Sequence, residues 1–182
     1  SGPGGLHLLN GLYDAKLDCQ PVLAITGLQY HDLIGTHSQQ DVELDKVFMD
    51  VASFNQRIMG PAHVENVVDL ACRTSLAYRG VAHVTFPVDL QSMPGERKGS
   101  KRNVPLHTGE GAAAGARLPA GDDVSRAADI LNAGKKTVIL AGRGALHATD
   151  ELLQVADQLG APVATALLGK GAVPDDSPFA VG

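Results

Sequence analysis

Tryptophan is absent, aromatic residues make up only 4% of the chain, and cysteine occurs twice in 182 residues. Cys19 and Cys72 lie far apart and form neither a disulfide framework nor a metal-type pair. Both are expected to be reduced, buried small hydrophobes. Basic residues are also scarce, 15 against 20 acidic ones, for a net charge of -5. Nucleic-acid surfaces are usually basic, so no nucleic-acid partner is expected. No apolar run approaches the roughly 20 residues of a membrane helix, so no integral membrane segment is expected. The start of the chain carries no charged-plus-apolar signal, which points to the cytoplasm. No Gly-x-Ser-x-Gly elbow marks a serine nucleophile. Seven histidines are present, and His31 and His37 share one loop, but no Cys or carboxylate spacing completes a metal site.

What remains is ordinary globular composition, 44% hydrophobic and 19% charged. Three textures follow one another. Residues 1–94 alternate apolar runs with helix-like segments, residues 95–121 are rich in Gly, Ala, Pro and basic residues without periodicity, and order resumes over 122–182. The middle stretch reads as a linker.

In the first stretch a Ser1-Gly2-Pro3-Gly4-Gly5 turn precedes a helix with Leu6, Leu9 and Tyr13 at helical spacing. Pro21 to Thr26 reads as a strand buried on both faces, and residues 28–45 as mainly loop. Pro61 suits the first turn of a helix carrying Val64, Val67, Val68 and Ala71 on one stripe. Gly80 is placed to end it, and Val81 to Phe86 is another strand. Beyond the linker, Asp122 or Asp123 caps a helix that stops at Gly134, and Thr137 to Ala141 is a buried strand. Thr149 caps a helix ending at Gly160, and Pro162 to Ala166 is the next strand. The alternation predicts an α/β fold: two partial parallel-sheet, three-layer α/β domains joined by the linker. Both sheets read as incomplete, since two or so confident strands are too few for a doubly wound sheet.

Glycine-rich turns stand where strands feed helices. The first, Ser1 to Gly5, is either a plain tight turn or a backbone approach to an anion or polar ring. The second, Gly142-Arg143-Gly144, follows a strand, where ligands sit in open α/β sheets. His147 replaces the third glycine of the dinucleotide fingerprint, and Arg143 either pairs a phosphate or is solvated. A third loop, Leu168-Gly169-Lys170, follows the last strand and can close on the same ligand. Composition and spacing reach two α/β pieces with a nucleotide-binding character, and no further.

Several motifs together resemble thiamine-diphosphate enzymes of the pyruvate oxidase and acetolactate synthase branch. Ser1 to Gly27, Asp50 to Asn55, the Pro61 helix and Arg79 to Leu90 resemble the later part of the pyrimidine-binding domain. Thr137 to Ala145 and Gly160 to Gly182 resemble the start of the central domain. The resemblance implies domain limits of 1–94 and 122–182, and a parent enzyme that decarboxylates a 2-oxo acid such as pyruvate as a homodimer or homotetramer. It implies thiamine diphosphate with Mg²⁺, and FAD in the flavin-containing members. Pro3 matches the turn against the aminopyrimidine ring, His7 a histidine of the pyruvate oxidase pattern, and Gln40 a glutamine near cofactor and substrate. Gln39 and Asp41 depart from the family's phenylalanine and glutamate. Gly142, Arg143, Gly144, Thr165, Leu168, Gly169 and Lys170 match loops that hold FAD or ADP. The family's catalytic glutamate lies upstream of the Ser1 to Gly4 turn and its Mg²⁺ motif in the diphosphate domain. No catalytic or metal residue is therefore expected in this chain, and alone it is expected to be inactive. The alternatives are an acetolactate synthase-like carboligase fragment and a non-catalytic nucleotide-binding or interaction module.

Overall fold

The computed structural model describes residues 1–95, 99–104, 107 and 118–182. Most of the expected linker, 95–121, lies outside these residues. The chain divides into two compact units, Ser1–Arg117 and Leu118–Gly182.

The first unit opens with two short helices, α1 (Gly2–Leu6) and α2 (Leu8–Leu17), and continues through β1 (Val22–Leu28), α3 (Leu44–Val47) and β2 (Ala52–Arg57). A 3₁₀ turn at Pro61–His63 leads into α4 (Val64–Tyr78), followed by β3 (Val81–Pro87) and α5 (Val88–Gln91). The strands form one parallel sheet in the order β1-β3-β2. β3 is therefore central, and all but one of its residues are buried. Its side chains alternate between two cores, as strand periodicity requires. Val81 joins Leu12, Leu44, Phe48 and Val51 beneath α2 and α3. Ala82 and Val84 join Ile58, Val67 and Ala71 beneath α4. Burying Phe48 or Leu44 contributes about 2–3 kcal/mol apiece.

Several expectations change here. The Ser1 to Gly5 segment is the helix α1 itself and not a turn before one, because Pro3 fits the first turn, where no N–H is required. β1 is fully buried on one face only: Ala24, Thr26 and Leu28 are buried, whereas on the other face Leu23 is half-buried against the α4 core and Ile25 is 58% exposed at this edge strand. Cys19 is exposed and Cys72 only half-buried, and both thiols are free. Cys19 sits with φ 50 just after α2, outside the core. The residue that ends α4 in the left-handed conformation is Arg79, φ 51, not Gly80. The Ser75 hydroxyl donates to Gly80 O and Val22 O, which fixes that corner from inside. β2 is a strand that apolar patterning does not announce.

The second unit holds α6 (Gly121–Ala133), β4 (Ile139–Ala141), a 3₁₀ turn at Arg143–Ala145, α7 (Thr149–Leu159), β5 (Val163–Thr165) and a 3₁₀ turn at Leu167–Gly169. β4 and β5 pair in parallel around α7, a β-α-β unit, and residues 179–182 bond the far side of β5. The core is Ala141, Ala156, Val163, Ala172 and Val173. Gly160 ends α7 at φ 58, as a C-terminal glycine should. The expected caps do not form. α6 begins at Gly121 behind Ala120, with Asp122 and Asp123 inside the first turn, where they favour the helix dipole instead. Thr149 is the first residue of α7, and its hydroxyl donates to Ala172 O, 2.9 Å.

Candidate functional site

Parallel pairing puts the C-terminal ends of β1 and β3 side by side, with Leu28 opposite Pro87. That edge of an open α/β sheet is where ligands gather. It is roofed by the chain start, by the loop over residues 29–43 and by α5. A recess of about 530 Å³ opens there, lined by Ser1, Thr26, Gly27, Phe86, Val88 and Gln91 among others.

One wall of this edge is a contact only glycine permits. Gly2 has φ 48, and a Cβ on it would stand 2.7 Å from Gln40 Cβ and 3.0 Å from Gln40 O. Gln40 is itself left-handed, φ 61. Ser1 Oγ donates to Gln40 Oε1 at 3.0 Å. The structure thus brings Gln40 against the turn that carries Pro3. Pro3 is exposed in the first turn of α1. His7 stands exposed at the junction of α1 and α2, with no hydrogen bond to Ser1 or Gln40.

Beneath the recess runs a buried polar line across all three strands. His83 of β3 is fully buried and stacked on Phe48, ring centroids 4.1 Å apart. Its Nδ1 meets Asn55 Oδ1 of β2 at 2.8 Å, and its Nε2 meets Thr26 Oγ1 of β1 at 2.8 Å. Asn55 Nδ2 donates to Asp45 O, so Oδ1 must accept. His83 Nδ1 therefore carries the proton, and Thr26 donates to Nε2. Burial drives the His83 pKa down to about 4, against a pull upward from Asp45, so the ring is neutral at physiological pH. Arg57, at the end of β2, pairs with Asp45 at 2.6 Å and Glu43 at 3.4 Å, binding α3 to the sheet.

In the second unit two loops meet beyond β4 and β5. Ala166 N donates to Ala141 O, 2.9 Å. A Cβ on Gly169 would lie 2.2 Å from that same oxygen and 2.8 Å from Gly142 Cα, so Gly169 is packed directly on the Gly142 turn. Gly142 and Gly144 face open space. Arg143 and Leu168 flank them on the two 3₁₀ turns. Thr165 sits further in, its hydroxyl donating to Gly182 O at 2.9 Å. Lys170 pairs with Asp175 at 2.6 Å.

The residues present suit both coenzymes that the sequence resemblance implies. At the first edge, Ser1 and the apolar Phe86 and Val88 line the recess, and Gln40 adjoins it through its bond to Ser1 and its contact with Gly2. At the second, Gly142 and Gly144 leave bare backbone facing open space beside Arg143, which is room for a phosphate-bearing group. Among the described residues no group of three or more His, Cys, Asp or Glu could hold a metal ion.

Sequence reading gave no site role to Thr26, Asn55, His83 or Asp89, took Ser1 only as part of the glycine-rich turn, and weighed His31 only as a metal ligand. A signal existed for His83 and Thr85: two polar side chains at alternate positions of an otherwise apolar strand share one face, and buried polar groups need partners.

Residues 124–182 match the family model described as thiamine pyrophosphate enzyme, central domain. The chain is 37% identical to a Bacillus subtilis protein provisionally named as thiamine pyrophosphate-containing, covering 100% of this chain and 31% of that protein. It is 35% identical to the pyruvate oxidase of Lactiplantibacillus plantarum, covering 100% of this chain and 30% of the relative. It is 31% identical to an acetolactate synthase of Mycobacterium bovis, over 96% and 28%. The chain spans less than a third of the length of these curated relatives. Residues 124–182 belong to the thiamine pyrophosphate enzyme central-domain family, and along its length the chain is related to the thiamine-pyrophosphate-dependent enzymes.

Proposed function

We propose that the chain forms part of a thiamine-diphosphate-dependent enzyme that decarboxylates a 2-oxo acid, pyruvate first among candidates, in the manner of a pyruvate oxidase. The observation that carries this reading is the Gly2–Gln40 wedge at the C-terminal edge of β1 and β3. Gln40 and the α1 turn with Pro3 then face the aminopyrimidine side of the coenzyme, and His7 lies one turn away on the approach. When bound, thiamine diphosphate supplies the electron sink that lets carbon dioxide leave. The chain's own residues hold and orient the ring and keep water from it. In the second unit Gly142, Arg143, Gly144, Thr165, Leu168, Gly169 and Lys170 form the rim of a FAD or ADP site.

By this reading the acid–base glutamate and the Mg²⁺ ligands are supplied from sequence outside residues 1–182, and the working protein is a homodimer or homotetramer in the cytoplasm. Oxidase-like character is favoured by His7 and the Leu6 to Ala15 run, which resemble the pyruvate oxidase pattern. Two measurements test the assignment. The full-length protein, given thiamine diphosphate and Mg²⁺, releases carbon dioxide from pyruvate, while the 182-residue polypeptide shows no rate above blank. Product analysis then separates the readings: acetolactate would mark a synthase. Flavin absorbance of the purified full-length protein reports whether the second edge is filled. A full-length protein that neither binds thiamine diphosphate nor consumes any 2-oxo acid would leave the non-catalytic module standing.

A further inference from the structure

The loop over residues 29–41 closes mainly on itself. The Gln29 side chain donates to Gln39 O across its neck. Asp41 Oδ2 accepts from Gly35 N at 2.9 Å and from His37 N at 3.1 Å. Such a loop is internally tied yet free to swing as a body unless something fastens it. Two fastenings reach outside it. One is the Ser1–Gln40 bond already described. The other joins His31 to Asp89 on α5: the His31 backbone N–H donates to Asp89 Oδ1 at 3.0 Å, and its Nδ1 meets Asp89 Oδ2. One carboxylate thus holds both the backbone and the ring of one loop residue. The Asp89 side chain is 15% exposed, whereas the His31 ring is 62% exposed, so the anchor is sheltered and the arm is not.

We propose that His31 and Asp89 form a latch that pins the 29–41 loop to the C-terminal end of β3 and so sets Gln40 against Gly2. His31 and Asp89 are positioning residues, and their bearing on coenzyme and substrate rests on the function proposed above. Without the latch the loop pivots on Ser1 alone, and a left-handed Gln40 has no reason to stay wedged on Gly2. The charges facing His31 are Asp89 from α5 and Asp32 from its own loop, both negative. The hydrogen bond and the charge of Asp89 lead in raising the His31 pKa above its ordinary value, with a smaller push from Asp32. Burial alone would raise the Asp89 carboxyl, yet the His31 bonds hold it below the usual range. The ion-paired latch is thus strongest below the raised His31 pKa and relaxes to a neutral bond above it.

The test uses the full-length protein and its Asp89→Ala and Asp89→Asn variants. Amide hydrogen exchange of His31, which donates to Asp89, and of Val42, which donates to Gln40 O, is expected to quicken at least about tenfold in Asp89→Ala, given the strength of hydrogen bonds to charged groups, while amides of α4 keep their wild-type rates. Asp89→Asn retains an acceptor for the backbone N–H and recovers part of that protection, and it returns the His31 titration measured by NMR toward about 6.5. In the thiamine diphosphate titration, Asp89→Ala is expected to weaken apparent affinity several-fold with the Asp89→Asn loss smaller. Unchanged exchange at His31 and Val42 would overturn the latch. Faster exchange at His31 but not at Val42, whose amide is bonded to Gln40 O, would overturn its role in placing Gln40. Failure of the wild-type protein to bind thiamine diphosphate would remove the proposed function, and the exchange arm would still decide the latch.

Discussion

His83 is the residue on which the three strands of the first sheet agree. A neutral ring that donates to β2 and accepts from β1 fixes both neighbours against β3 at once. The same burial makes it acid-sensitive. Its folded pKa is about 4, below the ordinary 6.5, so between those values the unfolded chain binds the extra proton. Stability from this group is therefore complete above about pH 6.5 and is lost as pH falls toward 4, by roughly 3 kcal/mol at most. Urea unfolding of the chain from pH 7.5 to 4.5 should show this fall. His83→Gln should be less stable at pH 7.5, from lost stacking on Phe48, and flatter across that range. An unaltered pH slope in the variant would assign the acid sensitivity elsewhere. At this scale the sequence was only partly legible. Gln40 could be picked out by resemblance, but its contact with Gly2 depends on two left-handed residues 38 positions apart, and no local pattern encodes that. His31 and Asp89 are likewise distant in sequence and meet only because β1 and β3 end together.

Among elements, α2, α4, α7, β1, β3 and β5 were readable because apolar spacing set them. β2 was not. Its segment Ala52–Arg57 carries Ser53, Asn55, Gln56 and Arg57, whose side chains are spent on hydrogen bonds rather than on an apolar stripe. Propensity reasoning fails where polar side chains do the packing. The end of α4 was misread by one residue for a related reason: Ser75 and the start of β3 hold the corner tightly enough to keep Arg79 left-handed, which local preference would assign to glycine. The 3₁₀ turn at Leu167–Gly169 shows the converse, a glycine required by its neighbours. Gly169 has an ordinary backbone, but any Cβ would strike Ala141 O and Gly142, backbone atoms that cannot rotate away. Gly169→Ala should therefore force the two loops apart, lower the thermal midpoint by several degrees, and open the rim where FAD or ADP is proposed to lie. Gly144→Ala, with nothing within 4 Å, is its control and should leave the midpoint nearly unchanged. Equal midpoints for the two variants would dismiss the close packing of Gly169.

The whole molecule divides unevenly in what it buries, and the division follows residue size. The first unit hides Phe48, Leu28, Leu44, Ile58 and several valines, whereas the second hides four alanines and two valines. α6 has no buried residue, and Ile130, Val138, Leu140 and Leu167 stand 66–91% exposed. At about 25 cal/mol per Å² of apolar surface, a core of alanines stabilises far less than one of Phe, Leu and Ile. Little in the sequence warned of this: its strands are equally apolar in both halves, and apolarity says nothing of whether a covering element is present. Hydrogen exchange on the 182-residue polypeptide should then be graded. Amides of β3, between two cores, should open only with the largest free energies in the chain, while those of β4 and β5 should open through smaller, local transitions. Mild denaturant separates the two kinds, because global opening accelerates with urea and local opening does not. Adding FAD or ADP to the polypeptide should slow exchange in β4 and β5 and leave β3 as it was, by mass action on the folded second unit. If β4 and β5 amides were as protected as those of β3 without ligand, then core size would not be what sets stability here, and the weak second unit would have to be held by contacts other than its buried side chains.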